Sequence, residues 1–365
     1  MDKLKKIGLS ALATSLVASS AYGADVSVVG NTGFTYSSQN GNTGTPDTDH
    51  GKGIGTDNSM TFSHSGELDN GWSVSASTAL TDAFALTSSS VTLTMGDLGS
   101  IKSGSGFGGN SASYDEETPR AYEQVDDGGG TTSSMNLVGS KNDNGSLAYT
   151  SPSIDLMGAS ATVHVGYTPK AEDAFTAGGA TTGVSTMGSG QDLGITLSHD
   201  SGLKFGIYGA ERSREQNNAK LNDAFEGTWY ATYSMGPISV GYQESYADSG
   251  TSPSQTNAAA TATFDSSSGY FEANQIAIAF NVNDDLSVSY QKLEDTYDAQ
   301  AGAAGGATTG GAAVADVTVD TKSISAAYSM GSMSIKAYRT ETDNVGYATN
   351  GGSLTVNEIA LGLSF

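Results

Sequence analysis

The last eight residues of the chain, Glu358–Phe365, read EIALGLSF. Apolar side chains occupy every second position of this segment, and polar or small residues stand between them. Because successive side chains of a β-strand point to opposite faces, the pattern predicts a strand with one apolar and one polar face. A strand of this kind suits a sheet that closes on itself between lipid and water, which is a transmembrane β-barrel.

The N-terminal residues indicate export from the cytoplasm. Three lysines precede an apolar and small-residue run that extends from Ile7 to Ala18. This order is typical of a secretory signal peptide, which we assign to residues 1–23 with cleavage before Ala24. The run is shorter than the about 20 apolar residues that a membrane-spanning helix requires. We therefore expect residues 24–365 to form one exported β-barrel domain.

The composition agrees with strands that have one wet face. The chain has 48 glycines and is only 37% hydrophobic, which is low for a soluble core of this length. Cysteine is absent, so the sequence excludes disulfides and cysteine-based metal sites. The net charge of −23 becomes −25 without the predicted signal peptide, whose own charge is +2. Such a chain is not expected to bind nucleic acid, and its charges either solvate the loops or attract cations to a channel.

Segments of period-two alternation follow one another along the chain as hairpins. Their tight turns contain Gly, Asp, Asn or Pro, as at Gly66–Gly71, Asn283–Asp285 and, in the third hairpin, Pro152–Gly158. One leading strand, seven hairpins and one closing strand predict an all-β fold, a 16-stranded antiparallel transmembrane β-barrel with short periplasmic turns. An even number lets the first and last strands pair without an open edge. The longer polar segments are predicted to form eight extracellular loops, at 38–55, 81–90, 104–133, 168–190, 211–226, 243–270, 292–320 and 341–354.

Aromatic residues fall near both ends of the predicted strands. Amphipathic rings favour the headgroup level of a bilayer, so two belts at opposite ends suggest a membrane around the sheet. The alternative is a general preference of strand ends for tyrosine. The belt near the short turns comprises Phe62, Trp72, Tyr149, Tyr233, Phe280, Tyr328 and Phe365, and the belt near the long loops comprises Tyr36, Tyr167, Tyr242 and Tyr290.

Four short motifs, together with the signal peptide, resemble the Gram-negative general-diffusion porins of the outer membrane. They are Ala24-Asp25-Val26-Ser27-Val28, Gly66-Glu67-Leu68-Asp69-Asn70-Gly71-Trp72, Gly96-Asp97-Leu98-Gly99-Ser100-Ile101 and Leu361-Gly362-Leu363-Ser364-Phe365. The resemblance implies sixteen strands, a homotrimer, and a third loop that folds into the lumen as a constriction. It also implies that the barrel-assembly machinery reads the terminal Phe365. The implied function is passive diffusion of small hydrophilic solutes and ions through a water-filled channel.

The predicted third loop, 104–133, carries an excess of carboxylates. Its charged residues are Asp115, Glu116, Glu117, Arg120, Glu123, Asp126 and Asp127. If the loop folds inward as the resemblance implies, these groups narrow the water path and concentrate cations there. The alternative is a solvated loop whose charges have no such role.

The resemblance further implies a basic cluster on the wall opposite the loop, and here the sequence departs from the family. Alternation places Lys102, Lys204 and Lys336 on the lumen face, but on separate strands. The early strands that would face the loop show Ser73, Ser75, Ser77, Thr92 and Thr94 inward, with no Arg or Lys among them. The sequence therefore favours cation preference over a strong transverse field.

No enzymatic activity, cofactor or metal is predicted. The histidines His50, His64, His164 and His199 are scattered, and no nucleophile motif marks a partner serine. Acidic loop residues such as Asp47, Asp49 and Asp57 offer oxygen ligands for divalent cations that would bridge lipopolysaccharide, the expected partner together with outer-membrane lipid. Two alternatives stay open, a substrate-specific outer-membrane channel and a surface β-rich adhesin without a pore.

Overall fold

The computed structural model of the protein describes residues 25–41, 50–81, 85–126, 145–169, 187–214, 223–248, 270–298, 316–347 and 352–364. The predicted signal peptide, Asp127 and Phe365 lie outside the described residues, as do Asp47 and Asp49. Among the described residues, no helix has the length and hydrophobicity needed to cross a membrane.

Strands make up almost all of the described structure. They are β1 (Asp25–Gly41), β2 (His50–Glu67), β3 (Ser73–Leu80), β4 (Leu86–Thr94), β5 (Ser100–Ser105), β6 (Leu147–Thr150), β7 (Ile154–Asp155), β8 (Ala159–Thr168), β9 (Met187–His199), β10 (Leu203–Arg214), β11 (Ala224–Met235), β12 (Ile238–Asp248), β13 (Tyr270–Asn281), β14 (Leu286–Asp298), β15 (Val317–Met330), β16 (Met333–Asp343) and β17 (Ser353–Ser364). Short 3₁₀ turns lie at Gly96–Leu98, Ser111–Ser113 and Val345–Tyr347.

These segments form one closed antiparallel sheet, as predicted. Each strand pairs with its neighbours in sequence, and β1 pairs with β17 to close the cylinder, with Phe34 opposite Leu361. β6 and β7 both pair with β8, so they are two parts of one strand and the barrel has sixteen. Pro152 lies between the two parts, where its missing N–H interrupts the ladder. The predicted turn at Pro152–Gly158 is therefore too long, because the chain pairs again at Ile154–Asp155 before it reverses.

The strands extend further into the predicted loops than the side-chain pattern indicated. β1 and β2 pair as far as Asn40 and His50, within the predicted loop 38–55, and β4 begins at Leu86, within the predicted loop 81–90. Asp57 accordingly lies in β2 and not in a loop. Backbone hydrogen bonds continue here although the side chains no longer alternate, because strand ends outside the bilayer need no apolar face. At the predicted third loop, 104–133, β5 ends at Ser105 and the described residues 106–126 contain no strand.

Side chains along the strands alternate between the outside of the barrel and the lumen, as predicted. One rung across five neighbouring strands joins Phe280, Val288, Ala326, Ala337 and Ile359. Phe280 and Ile359 on this rung are exposed, and the alternate positions on the same strands include buried serine and glutamine side chains. Large apolar side chains thus cover the outside, where lipid replaces water as the solvent.

Loop 3, by which we mean the described residues 106–126, enters the lumen and lies against the inner wall where glycines make room for it. A Cβ at Gly241 of β12 would lie 2.5 Å from Cδ of Pro119, and a Cβ at Gly194 of β9 would clash with the ring and hydroxyl of Tyr114. Glycine is the residue that permits such a close approach. The wall is therefore shaped to seat residues 114–119 of the loop.

Substitution of Gly194 by alanine tests this seating. The new methyl group meets the Tyr114 ring and pushes the loop toward the axis of the lumen, so we expect a lower single-channel conductance and a loss of about 1–3 kcal/mol in the free energy of unfolding. Gly66→Ala is the matched control, because a Cβ at Gly66 meets no atom within 4 Å. Equal conductance in both variants would contradict the seating.

Candidate functional site: the loop 3 constriction

The first part of loop 3 is fixed to β8–β11 by a buried polar and aromatic cluster. Asn110 Nδ2 donates to Asp192 Oδ1 at 2.7 Å, and Tyr114 Oη lies 2.5 Å from His164 Nδ1. The Tyr114 ring stacks on Tyr208 of β10 with 4.9 Å between the centroids, and its centroid lies 6.4 Å from that of Tyr230 of β11. Burial raises the pKa of the Tyr114 hydroxyl well above its usual range, so this group stays protonated and able to donate. The loop is thereby tied to four adjacent strands at its entry.

The middle of the loop is held by amide and hydroxyl side chains that point inward from β12–β14. Gln243 spans two loop residues, since its Nε2 donates to the Tyr114 carbonyl at 2.7 Å and its Oε1 accepts from the Glu117 N–H at 2.7 Å. Ser289 Oγ accepts from the Ala121 N–H at 2.9 Å. These contacts satisfy backbone groups that would otherwise be buried without partners. Further bonds reach the loop from Gln275 Nε2 to Glu116 Oε1 (3.3 Å) and from Gln291 Nε2 to Thr118 Oγ1 (3.4 Å).

The distal part of the described loop reaches β16 and β17. Tyr122 Oη donates to Glu358 Oε1 at 3.0 Å, and the ammonium of Lys336 lies 5.0 Å from the centroid of the Tyr122 ring. Burial and the neighbouring carboxylates of Glu358 and Glu123 raise the pKa of the Tyr122 hydroxyl. Val125 then packs in a small apolar cluster with Ala273 of β13 and Leu293 of β14. The loop thus follows the inner wall from β8 around to β17.

The predicted acidic residues of the loop occupy two kinds of place. Glu116 is only 2% exposed and accepts a hydrogen bond from Gln275, so it belongs to the wall contact. The other acidic side chains that the structure describes are partly exposed, namely Asp115, Glu117, Glu123 and Asp126. Arg120 is exposed, and its Nη1 donates to the Glu116 carbonyl at 2.6 Å.

Glu117 is a loop carboxyl whose titration is perturbed by its surroundings. Burial raises its pKa above the usual range, while the positive charges of Arg120 and Lys204 act in the opposite direction. Desolvation therefore outweighs the two cations at this position. Lys204 belongs to β10, and its charge acts on Glu117 of the loop.

The predicted wall lysines lie far apart in the barrel and each has a different loop neighbour. Lys102 Nζ of β5 lies 5.1 Å from the ring centroid of Phe107, Lys336 of β16 lies over Tyr122, and Lys204 of β10 acts on Glu117. The structure does not bring them together into one basic patch. The rings of Phe107 and Tyr122 stabilise the ammonium groups of Lys102 and Lys336 by cation–π contact.

The inner wall of β1–β5 presents mainly hydroxyl groups. On one rung Asp25, Ser65, Ser75, Thr92 and Lys102 follow one another across the five strands. The next rung carries Ser27, Ser63, Ser77 and Ser90. These side chains line a concavity of about 430 Å³. These two rungs are therefore polar, with charges only at Asp25 and Lys102, and Asp57 of β2 adds a carboxylate further along the same face.

Sequence reasoning missed the glutamines that hold the loop. Gln243, Gln275 and Gln291 are each 1% exposed, on three successive strands. A signal was present, because long amide side chains recur at lumen-facing positions of β12–β14, where short hydroxyl residues would suffice for a plain wet wall. Their meaning depended on where the loop would lie, which the alternation does not reveal.

The four histidines lie on separate parts of the barrel. His50 and His64 lie on β2, and His164 is buried on β8 against Tyr114. His199 Nδ1 contacts Ser201 Oγ at 2.8 Å in an exposed turn, a local contact two residues apart. Within the described ranges, no group of three His, Cys, Asp or Glu side chains is placed to hold a metal ion.

Comparison with known proteins places this architecture in a family. The sequence model of the Gram-negative porins matches residues 8–274, more than half of the chain. Among solved structures, a porin refined at 1.8 Å resolution is 16% identical and superposes with a TM-score of 0.61, covering 93% of this chain and 100% of that one. Salmonella typhi OmpF in complex with daunomycin is 11% identical and superposes with a TM-score of 0.62, covering 94% of this chain and 99% of that one.

A third similar structure is the trimer form of in-vitro folded OmpT from Vibrio cholerae, an outer-membrane protein. It is 11% identical, with a TM-score of 0.58 over 93% of this chain and 99% of that one. At these identities the likeness concerns the fold. No curated protein sequence is significantly similar to the chain.

The family match, the closed 16-stranded barrel and the loop inside it agree with one another. Lipid-facing apolar side chains and a polar interior are the properties of a barrel that spans the outer membrane around a water path. The chain belongs to the Gram-negative porin family and forms an outer-membrane channel for diffusion.

Proposed function

We propose that this porin is a general-diffusion channel that prefers cations, and that loop 3 sets both its size limit and its ion preference. The observation that carries the proposal is the contrast between the two sides of the lumen. Four partly exposed carboxylates lie on loop 3 with Arg120 as the one cation among residues 106–126, whereas the lumen face of β3 and β4 offers hydroxyl groups. Fixed carboxylates at a narrow water path raise the local cation concentration.

The geometry gives the loop charges more influence than the total charge of the chain. Charges on the outer loops are screened within about 8 Å at physiological ionic strength. Carboxylates inside the barrel act on ions that pass close by, where protein replaces part of the water and the effective dielectric constant is lower. Lys204 and Arg120 reduce the field near Glu117, so the preference is expected to be moderate.

Neutralising the carboxylates tests their role. In the triple variant Glu117→Gln, Glu123→Gln and Asp126→Asn we expect roughly half of the cation preference to disappear, because three of the four partly exposed acidic groups lose their charge. The measurement is the reversal potential in a planar bilayer under a KCl gradient. The triple variant Asp69→Asn, Asp284→Asn and Asp285→Asn, at exposed positions of two short turns, is the charge-matched control. A reversal potential equal to the wild type in the triple variant would refute the assignment.

The raised pKa of Glu117 predicts a specific pH dependence. A carboxyl with a raised pKa takes up its proton at a higher pH than ordinary glutamates, so Glu117 loses its charge first as the pH falls. The cation preference should therefore begin to decline above the pH range in which exposed glutamates titrate. In Glu117→Gln this early step should be missing, while the later decline remains. An identical pH profile of the reversal potential in both proteins would contradict the prediction.

We also propose that the porin is a homotrimer. The OmpT structure is a trimer form, and features of this chain support the same arrangement. Three neighbouring strands are short, namely β3, β4 and β5 with 8, 9 and 6 residues. On the adjacent strand β2, Asn58 faces outward together with Ile54 and Phe62. An amide that faces lipid costs free energy, whereas a subunit contact would offer it a partner.

Charge at Asn58 tests the assembly. Asn58→Asp would bring three like charges together around a threefold axis, so we expect the unheated protein to shift from trimeric toward monomeric migration in detergent electrophoresis. The control is Asn281→Asp at the exposed end of β13 near a short turn. If both variants keep the trimeric migration of the wild type, Asn58 is not in an interface; if the wild type is monomeric, the trimer is wrong.

Lipopolysaccharide and lipid are the proposed partners of the outer wall. Lys292 and Lys322 are opposite each other on β14 and β15, one rung above Tyr290 and Ile324, at the upper border of the apolar belt. Asp320 bridges them, with one carboxylate oxygen 3.1 Å from each ammonium. Charged groups at this level suit the polar headgroup region better than the hydrocarbon.

A further inference from the structure

Extracellular loop 8, which we define as residues 344–352, begins with a short hook that turns into the barrel. Its described residues start with Asn344, whose Nδ2 donates to the Thr318 carbonyl of β15 at 2.9 Å. Asn344, Gly346 and Tyr347 all have positive φ, at 57°, 70° and 53°. Two of the three are not glycine, so the hook holds a backbone conformation that costs free energy. Such a conformation persists only where surrounding contacts stabilise it.

Val345, the second residue of the hook, packs toward β16 and β17. Val345 is buried at 6% exposure in a cluster with Tyr338, Leu354 and Val356. Tyr122 of loop 3 packs against the same cluster, with its ring centroid 5.8 Å from that of Tyr338. The distal end of loop 3 and the start of loop 8 therefore share one apolar core.

Tyr347, the fourth residue of the hook, packs in the other direction, toward β13–β15. Tyr347 is 4% exposed beside Phe271, Tyr297 and Val319, and its hydroxyl donates to Asp295 Oδ2 at 2.5 Å. The ring of Phe271 meets that of Tyr347 edge to face at 5.6 Å. The hook thus bridges the inner faces of five strands.

The Tyr347 cluster lies directly beside the place where Val125 of loop 3 packs against the wall. Phe271 is opposite Tyr297, and the next rung pairs Ala273 with Asp295, the carboxylate that accepts from Tyr347. Ala273, together with Leu293, also packs against Val125 at the end of the described loop 3. Both anchors of the distal part of loop 3, Tyr122 and Val125, are thus next to residues that loop 8 contacts.

We propose that the loop 8 hook is a positioning device for the channel, in which Val345 and Tyr347 hold the segment 122–126 of loop 3 against the wall. The proposal rests on loop 3 forming the constriction and is independent of the cation preference. Val345 and Tyr347 are buried and touch no permeating solute, so they act through loop 3. The aperture would then depend on an extracellular loop as well as on the β12–β14 wall.

A cysteine reporter on loop 3 tests the proposal, since the chain has no cysteine of its own. Gln124→Cys lies between the two anchors and is read out by its reaction rate with a charged, water-soluble methanethiosulfonate reagent. Adding Val345→Ala and Tyr347→Leu should raise that rate by about tenfold, because local opening of the segment becomes easier. Open-channel current noise in planar bilayers should rise in the same variant without the reporter.

Ser353→Ala is the matched control, an exposed position at the start of β17. Tyr347→Phe keeps the ring and loses only the hydroxyl, so its labelling rate should fall between the wild type and the double variant. If the double variant does not assemble, Val345→Ala alone carries the test, with a smaller increase expected. Reporter labelling and noise equal to the control would overturn the proposal, whereas a loss of cation preference alone would not support it.

Discussion

The structure depends on one constraint, that every backbone N–H and C=O within the bilayer needs a partner in the protein. Hydrocarbon offers none, and a sheet meets the requirement only when its first and last strands pair. The β1–β17 ladder, which runs from Asn31 opposite Ser364 to Gly41 opposite Leu354, provides this closure. Once the cylinder is closed, alternation along the strands separates lipid from water, and the interior must accommodate polar groups.

The same constraint decides how loop 3 can lie inside the barrel. A buried loop brings its own backbone groups away from bulk water, so it needs a wall that supplies donors and acceptors. Gln243 and Ser289 supply them, and Gly194 and Gly241 provide the space. The loop therefore packs closely against the inner face of β8–β14. The proposed ion preference rests on this placement, because Glu117, Glu123 and Asp126 stay partly exposed on the seated loop.

The sequence predicted the barrel well, because closure, strand number and facing all follow from period-two alternation and turn residues. The predicted strand ends were wrong where backbone pairing continues although the side chains no longer alternate, as after Pro152 and at the extracellular ends of β1 and β4. The sequence identified the acidic loop through its resemblance to porins, but it did not distinguish Glu116, which is buried in the wall, from its partly exposed neighbours. Tyr122, Val345 and Gln275 were missed because their roles depend on contacts between segments more than 100 residues apart.

Thiol accessibility on the two inner walls tests the account most directly. Single cysteines at Ser75 on the hydroxyl wall, at Ser325 on the loop-covered wall and at Ala337 on the outer face would be reacted in membranes with a charged thiol reagent. We expect fast labelling at Ser75→Cys, slow labelling at Ser325→Cys and none at Ala337→Cys. Equal labelling of the two inner positions would contradict the seated loop, and labelling of Ala337→Cys would contradict the lipid-facing wall.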